Sequence, residues 1–218
     1  MTSPDRAGRP LIITDCDEVL LHMVVPFAEW LDEAHGIHFD LDHGGFAEAL
    51  RHKHDGTVVE QEEVWPLLNA FFDDQMNRQQ PIDGAVEAIR TLAAKADVVV
   101  LTNLLDHRQD ARRAQLKAVG IDHEVRCNQG CKGTPLSEIV DRFDPSVTVF
   151  IDDLPNHHES VKKHRPEVWR LHMVGEPRLA GSIPPAPDAH ARIDRWDAAL
   201  EWIEARLAEG HAPVGETV

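Results

Sequence analysis

The 218-residue chain has three cysteines, no excess of basic side chains and no apolar run of bilayer length. Each shortage removes a class of protein. Cys16, Cys127 and Cys131 do not make a disulfide framework. Cys127 and Cys131 are not a structural zinc pair either, because three residues separate them and no second thiol pair exists. Lys and Arg total 22 against 38 Asp and Glu, a formal net charge of -16. That balance speaks against nucleic acid held through its phosphates and against an anionic membrane surface. An anionic substrate would need local help from a metal and one or two cations. No segment is long enough to span a bilayer, and residues 1–10 are polar, so the cytoplasm is the expected compartment.

Paired acids are what the chain does have. In Leu11-Ile12-Ile13-Thr14-Asp15-Cys16-Asp17-Glu18 an apolar run ends in two carboxylates one residue apart. The run reads as a buried strand, and a period of two sends Asp15 and Asp17 to one side of its end. Cys16, between them, should then point into the core. Two like charges so placed repel unless a cation sits between them, and oxygen ligands suit magnesium. A second run, Val147-Thr148-Val149-Phe150-Ile151, stops at Asp152-Asp153. A third, Val98-Val99-Val100-Leu101, ends in Thr102-Asn103. Three strand-like runs thus deliver polar groups at their carboxyl ends, where ligands bind in open α/β sheets.

Strands at 11–15, 97–102, 121–127, 147–151 and 168–172 alternate with helical patterns at 85–95, 107–119, 134–143, 154–164 and 196–207. This alternation predicts an α/β fold, a three-layer Rossmann-like parallel sheet with right-handed crossovers. Residues 21–80 break the rhythm. Val24, Phe27, Ala28 and Leu31, and later Val64, Leu67, Leu68, Phe71 and Phe72, form apolar stripes at helical spacing. Gly36 should close the first of these helices. Residues 40–56 read as loop plus a short helix around 46–50. The domain division expected is a core of 1–20 and 81–218 with a largely helical insert at 21–80.

The order of acid pair, helical insert, Thr102-Asn103, Lys132 and acid pair resembles the haloacid dehalogenase-like (HAD) hydrolase superfamily, in its magnesium-dependent phosphatase branch with a small helical (C1-type) cap after strand 1. The resemblance runs from about Leu11 to just past Lys163, and Pro81-Ile82-Asp83-Gly84-Ala85 looks like the segment that re-enters the core after the cap. It implies that Asp15 is the nucleophile, forming an aspartyl-phosphate, and that Asp17 is general acid and then base. It further implies Mg2+ held by Asp15, by the backbone carbonyl of Asp17 and directly by Asp152. Asp153 would bind it through water or support Lys132, and Asn156 would hold a metal-bound water. Thr102, the amide of Asn103 and Lys132 would grip the phosphoryl group. An acid at Asp17 fits an oxygen leaving group, since halide leaves without a proton. Glu18 departs from the pattern, because the family has Gly there.

The substrate class expected is a small phosphorylated metabolite. A phosphomutase, or a member that only binds a phosphorylated ligand or a protein, stays open as an alternative. Arg126 competes with Lys132 as the site cation. Of the fourteen histidines, those of the insert (His35, His38, His43, His52, His54) and those after the second acid pair (His157, His158, His164) match no zinc spacing. They read as solvated or substrate-facing, with Arg51, His52, Lys53 and His54 the group expected to reach a substrate from the cap. The oligomeric state is not legible in the sequence.

Overall fold

The computed structural model describes residues 8–40 and 49–213. β1 (Leu11–Thr14) is followed by an excursion away from the sheet. The excursion comprises α1 (Val24–His35), a hairpin of β2 (Ile37–Phe39) and β3 (Leu50–His52), and α2 (Gln61–Asp74). Then come α3 (Ala85–Ala93), β4 (Asp97–Thr102), α4 (Gln109–Ala118) and β5 (Glu124–Cys127). The remainder is α5 (Gly133–Phe143), β6 (Thr148–Asp152), α6 (Pro155–His164), β7 (Trp169–His172), α7 (Pro177–Ala180), β8 (Ala191–Arg192) and α8 (Trp196–Glu209). Six strands form one parallel sheet in the order β5-β4-β1-β6-β7-β8.

The central strands β1, β4 and β6 are mostly apolar because both faces are covered, whereas the outer β5, β7 and β8 carry Glu124, Arg126, Arg170, His172 and Arg192. Ile12, Val98, Val100, Val149 and Ile151 pack against α3 and α8. Their neighbours Leu11, Ile13, Val99, Leu101 and Phe150 pack on the other face against Leu136 and Ile139 of α5 and Val161 of α6. The alternation is the period of two expressed as three layers.

The excursion has a core of its own, in which Phe27, Trp30, Leu31, Phe39, Leu50, Val64 and Phe71 cluster. Phe27 and Phe71 meet edge to face, with ring centroids 5.4 Å apart. Gly36 ends α1 at φ 61°, its N–H donating to the Leu31 carbonyl. The hairpin is not anticipated by the helical stripes. Leu50, expected in a short helix, pairs with Phe39 in an antiparallel register instead. A three-residue strand with one buried side chain offers no period to detect. The rest of that expected helix, residues 46–48, lies outside the described residues. The two strands of chain entering and leaving the excursion are hydrogen-bonded to each other: His22 N–H to the Gln80 carbonyl and Ile82 N–H to the Leu20 carbonyl, both 2.9 Å.

In the sheet Thr14 sits between Val100 of β4 and Ile151 of β6. The three chemistry-bearing strand ends are therefore adjacent at one rim.

Candidate active site

Asp15 leaves β1 with its N–H donating to the Ile151 carbonyl at 2.8 Å. Its Oδ1 accepts from the Cys16 N–H at 2.7 Å and from Lys132 Nζ at 2.8 Å. No described residue donates to Oδ2. Burial pushes the Asp15 carboxyl up to about 6, against the pull of Lys132, with Asp152 and Asp17 adding to the rise.

Lys132 is fully buried and its Nζ also donates to Asp152 Oδ2 at 2.7 Å. Burial opposes its charge, but the two flanking carboxylates outweigh burial and raise its pKa. Gly133 allows this inward approach. A Cβ there would stand 2.3 Å from His164 Nδ1 and 2.5 Å from the Ser160 carbonyl, so only glycine lets α5 start so close to α6. Arg126 is no competitor, because it pairs with Glu138 at the surface.

The second acid pair divides its labour differently from expectation. Asp152 Oδ2 is taken by Lys132, and its Oδ1 accepts from the Leu154 N–H and from His157 Nδ1, both 2.9 Å. Burial alone pushes its carboxyl up. Lys132 and His157 outweigh that and hold it well below the usual carboxylate range. Asp152, not Asp153, is thus the support for Lys132. The Asp153 carboxylate has no hydrogen-bond partner among the described residues, and burial beside Asp152 and Asp15 pushes its pKa well above the usual value. Carboxylate oxygens of Asp15, Asp152 and Asp153 all lie within 4.8 Å of one another. A crowded, underpartnered set of hard oxygen donors fits a divalent cation such as magnesium. Asp15 Oδ2 and Asp153 are the free donors. Asn156 is exposed on the first turn of α6.

Thr102 is fully buried and its hydroxyl has no hydrogen-bond partner. An orphaned buried hydroxyl costs about 1–3 kcal/mol, so at a strand end it points to a ligand. The side chain of Asn103 is engaged. Its Nδ2 donates to the Gly130 carbonyl at 3.0 Å and lies 3.3 Å from His157 Nε2, and its Oδ1 accepts from Asn128 at 3.0 Å.

Asp17 does not join the other carboxylates. Arg112 of α4 grips both its oxygens, at 2.9 and 3.1 Å, and Gln79 donates to Oδ1 at 2.6 Å. A part for Asp17 at the cation is left to its backbone carbonyl, as the resemblance implies. Cys16 turns into the core as expected, its Sγ 3.1 Å from Arg112 Nη1. Sequence reasoning missed Arg112, Gln79 and His157. Arg112 did leave a signal: it stands one helical turn before Leu116, on the buried face of α4. His157 and His158 are buried rather than solvated, and both bond to Asp152, His158 through the backbone carbonyl at 3.0 Å. In the insert, Lys53 pairs with Asp32 and His54 with Asp55, and none of the residues 51–54 bonds to a site residue.

Glu18, where a glycine was expected, takes φ 59°. Its buried Oε1 accepts from the Met23 and Val24 N–H groups, 2.8 and 2.6 Å, at the start of α1. It thereby caps the first helix of the insert from the acid loop. Oε2 is buried without a partner.

Neither the models of protein families nor the curated proteins contain a match to this chain. Solved structures do match along most of its length. A haloacid dehalogenase-like family hydrolase from Streptococcus pneumoniae superposes with a TM-score of 0.61 at 11% identity, covering 88% of this chain and 97% of that one. One from Xanthomonas campestris gives 0.58 at 15%, covering 93% and 98%. This chain has the HAD-like fold. A magnesium-bound HAD-hydrolase from Bacillus subtilis also matches, with a TM-score of 0.58 at 15% identity over 90% of this chain and 99% of that one. The excursion lies between β1 and α3 in the chain, and no helix among the described residues is long and apolar enough to cross a membrane.

Burial pushes the Glu18 carboxyl from 4.5 up to about 7, the two N–H groups opposing it. A folded pKa above the unfolded one means that the folded state keeps its proton longer. The associated stability is fully present below 4.5 and drains away as pH rises to about 7. Glu18→Gln should therefore match wild type near pH 4.5 and lead by about 3 kcal/mol above pH 7 in metal-free urea unfolding. Parallel pH profiles for the two proteins would contradict a proton held at Glu18.

Proposed function

We propose that the chain is a magnesium-dependent phosphomonoester hydrolase, acting in the cytoplasm on a small phosphorylated metabolite through an aspartyl-phosphate. The observation that carries the reading is Asp15, its Oδ1 pinned by Cys16 and Lys132 and its Oδ2 free, beside the unpartnered hydroxyl of Thr102. Asp15 Oδ2 attacks phosphorus. Lys132, the Thr102 hydroxyl and the Asn103 N–H neutralise and orient the phosphoryl oxygens. Asp17 would give a proton to the leaving oxygen and then take one from the hydrolytic water, a role that requires it to be released from the Arg112 and Gln79 clasp. The insert shields the reacting groups from bulk water. The carboxylates of Asp15, Asp152 and Asp153, with the Asp17 carbonyl, would hold Mg2+, which supplies charge neutralisation. Three free thiols suit a reducing compartment.

Purified protein given p-nitrophenyl phosphate should release phosphate with magnesium and stop when the metal is chelated. Magnesium should also raise thermal stability, by about 2.7 kcal/mol at a hundredfold excess over Kd. Asp153→Asn should abolish that rise. A wild type inert toward a panel of phosphate esters would remove the reading. A similar fold is described as a β-phosphoglucomutase in Thermotoga maritima. Turnover of a phosphosugar without free phosphate would therefore turn the assignment to a mutase.

A further inference from the structure

Asn103 and Asp152 sit on different strands, and one buried imidazole joins them. His157 places Nδ1 2.9 Å from Asp152 Oδ1 and Nε2 3.3 Å from Asn103 Nδ2. The proton positions follow from the neighbours. The Gly130 carbonyl can only accept, so the Asn103 atom 3.0 Å from it is the amide nitrogen. Asn128 Nδ2, which donates to Asn103 Oδ1, fixes the same orientation. An amide nitrogen can only donate, so His157 Nε2 must accept. The ring hydrogen then lies on Nδ1 and points at Asp152. The result is one directional chain: Asn128 to Asn103, Asn103 to His157, His157 to Asp152. Asp152 in turn receives Lys132, which reaches Asp15.

We propose that His157 is a positioning residue, a relay that locks the phosphate-binding end of β4 to the Lys132–Asp152 pair and so sets Lys132 against the nucleophile. It rests on the hydrolase reading above for its consequence in turnover, but not for its hydrogen-bond pattern. His157 cannot reach a substrate from its place, since it is 2% exposed. Its two ring nitrogens are both used. The donor it gives Asp152 is the third, after the Leu154 N–H and Lys132, and Asp152 can rotate only by breaking a bond. Without the imidazole, Asp152 keeps the Leu154 N–H and Lys132 but loses its link to β4, so the pair is held less firmly in direction.

Two measurements test this. Long-range proton–nitrogen spectra of metal-free protein labelled in histidine nitrogen should contain one ring protonated at Nδ1 alone that vanishes in His157→Asn. A ring protonated at Nε2, or at both nitrogens, would overturn the relay whether or not the protein is a phosphatase. Steady-state kinetics with p-nitrophenyl phosphate form the second arm. His157→Ala and His157→Gln should lower kcat about 10–100-fold with KM nearly unchanged, the range for groups that orient a working side chain. His157→Asn, whose amide stands where Nδ1–H stood, should recover to within a few-fold of wild type. Equal activity of the Asn and Gln variants would overturn the proposal, since a space-filling role does not tell them apart. If wild type turns over no phosphate ester, the hydrolase reading falls and the spectra alone decide the relay. They also decide it should the alanine variant not fold.

Discussion

Asp15→Asn should lower the turnover of a phosphate ester by roughly 10⁴- to 10⁶-fold, the scale on which members of a catalytic unit are lost. The substitution exchanges one oxygen for an amide nitrogen and leaves the backbone alone. The remaining carbonyl oxygen can still accept from the Cys16 N–H and from Lys132, which hold Oδ1 at 2.7 and 2.8 Å. What disappears is the free Oδ2, the only atom of this side chain that can attack. Stability should barely change. Lys132 keeps Asp152 as a counter-charge, and a carboxyl that burial had already pushed up to about 6 is removed. The expected result is a folded, inactive protein whose urea midpoint stays with wild type. Residual turnover within a hundredfold of wild type would mean that another group attacks phosphorus.

Lys132→Met should damage the fold as well as the activity. The ammonium is fully buried between two carboxylates, with a third nearby at Asp153. Methionine fills the volume but answers none of the charge. Removing one partner of a buried ion pair costs about 3–5 kcal/mol, because the other charge stays behind without compensation. Two carboxylates are stranded here, so the upper part of that range is expected in urea unfolding of the metal-free protein. Magnesium should restore part of the loss by supplying positive charge to the same oxygens. A Lys132→Met protein as stable as wild type would show that Asp15 and Asp152 do not depend on this cation. Its catalysis should be impaired as well, because the phosphoryl oxygens lose their only buried ammonium among the described residues.

Strand ends were the most readable part of the site. Apolar runs that stop at Asp15, Thr102 and Asp152 declare themselves through composition alone, and a parallel sheet has few ways to arrange them. The pairing of Thr14 with Val100 and Ile151 then brings the three ends together. The Asp152–Asp153 division was harder. Adjacent acids look alike in a sequence, and only the direction from which Lys132 and His157 arrive separates the anchored one from the free one. Arg112 and Gln79 were hidden for a related reason. Each reaches Asp17 across more than sixty residues of chain, so no local spacing records the contact. The hairpin of β2 and β3 escaped because three residues are too few for a periodicity.

The amino-acid order by itself determined the layered α/β architecture and which acids stand at the strand ends. Those follow from hydrophobic period and from where each run stops, which are local properties. Only the tertiary structure decided which carboxylate serves the lysine, which is left open to a cation, and that Asp17 is held by an arginine. Partner choice in a buried polar site is a contest among donors arriving from distant elements, and it is settled by distance and direction rather than by neighbours in the chain.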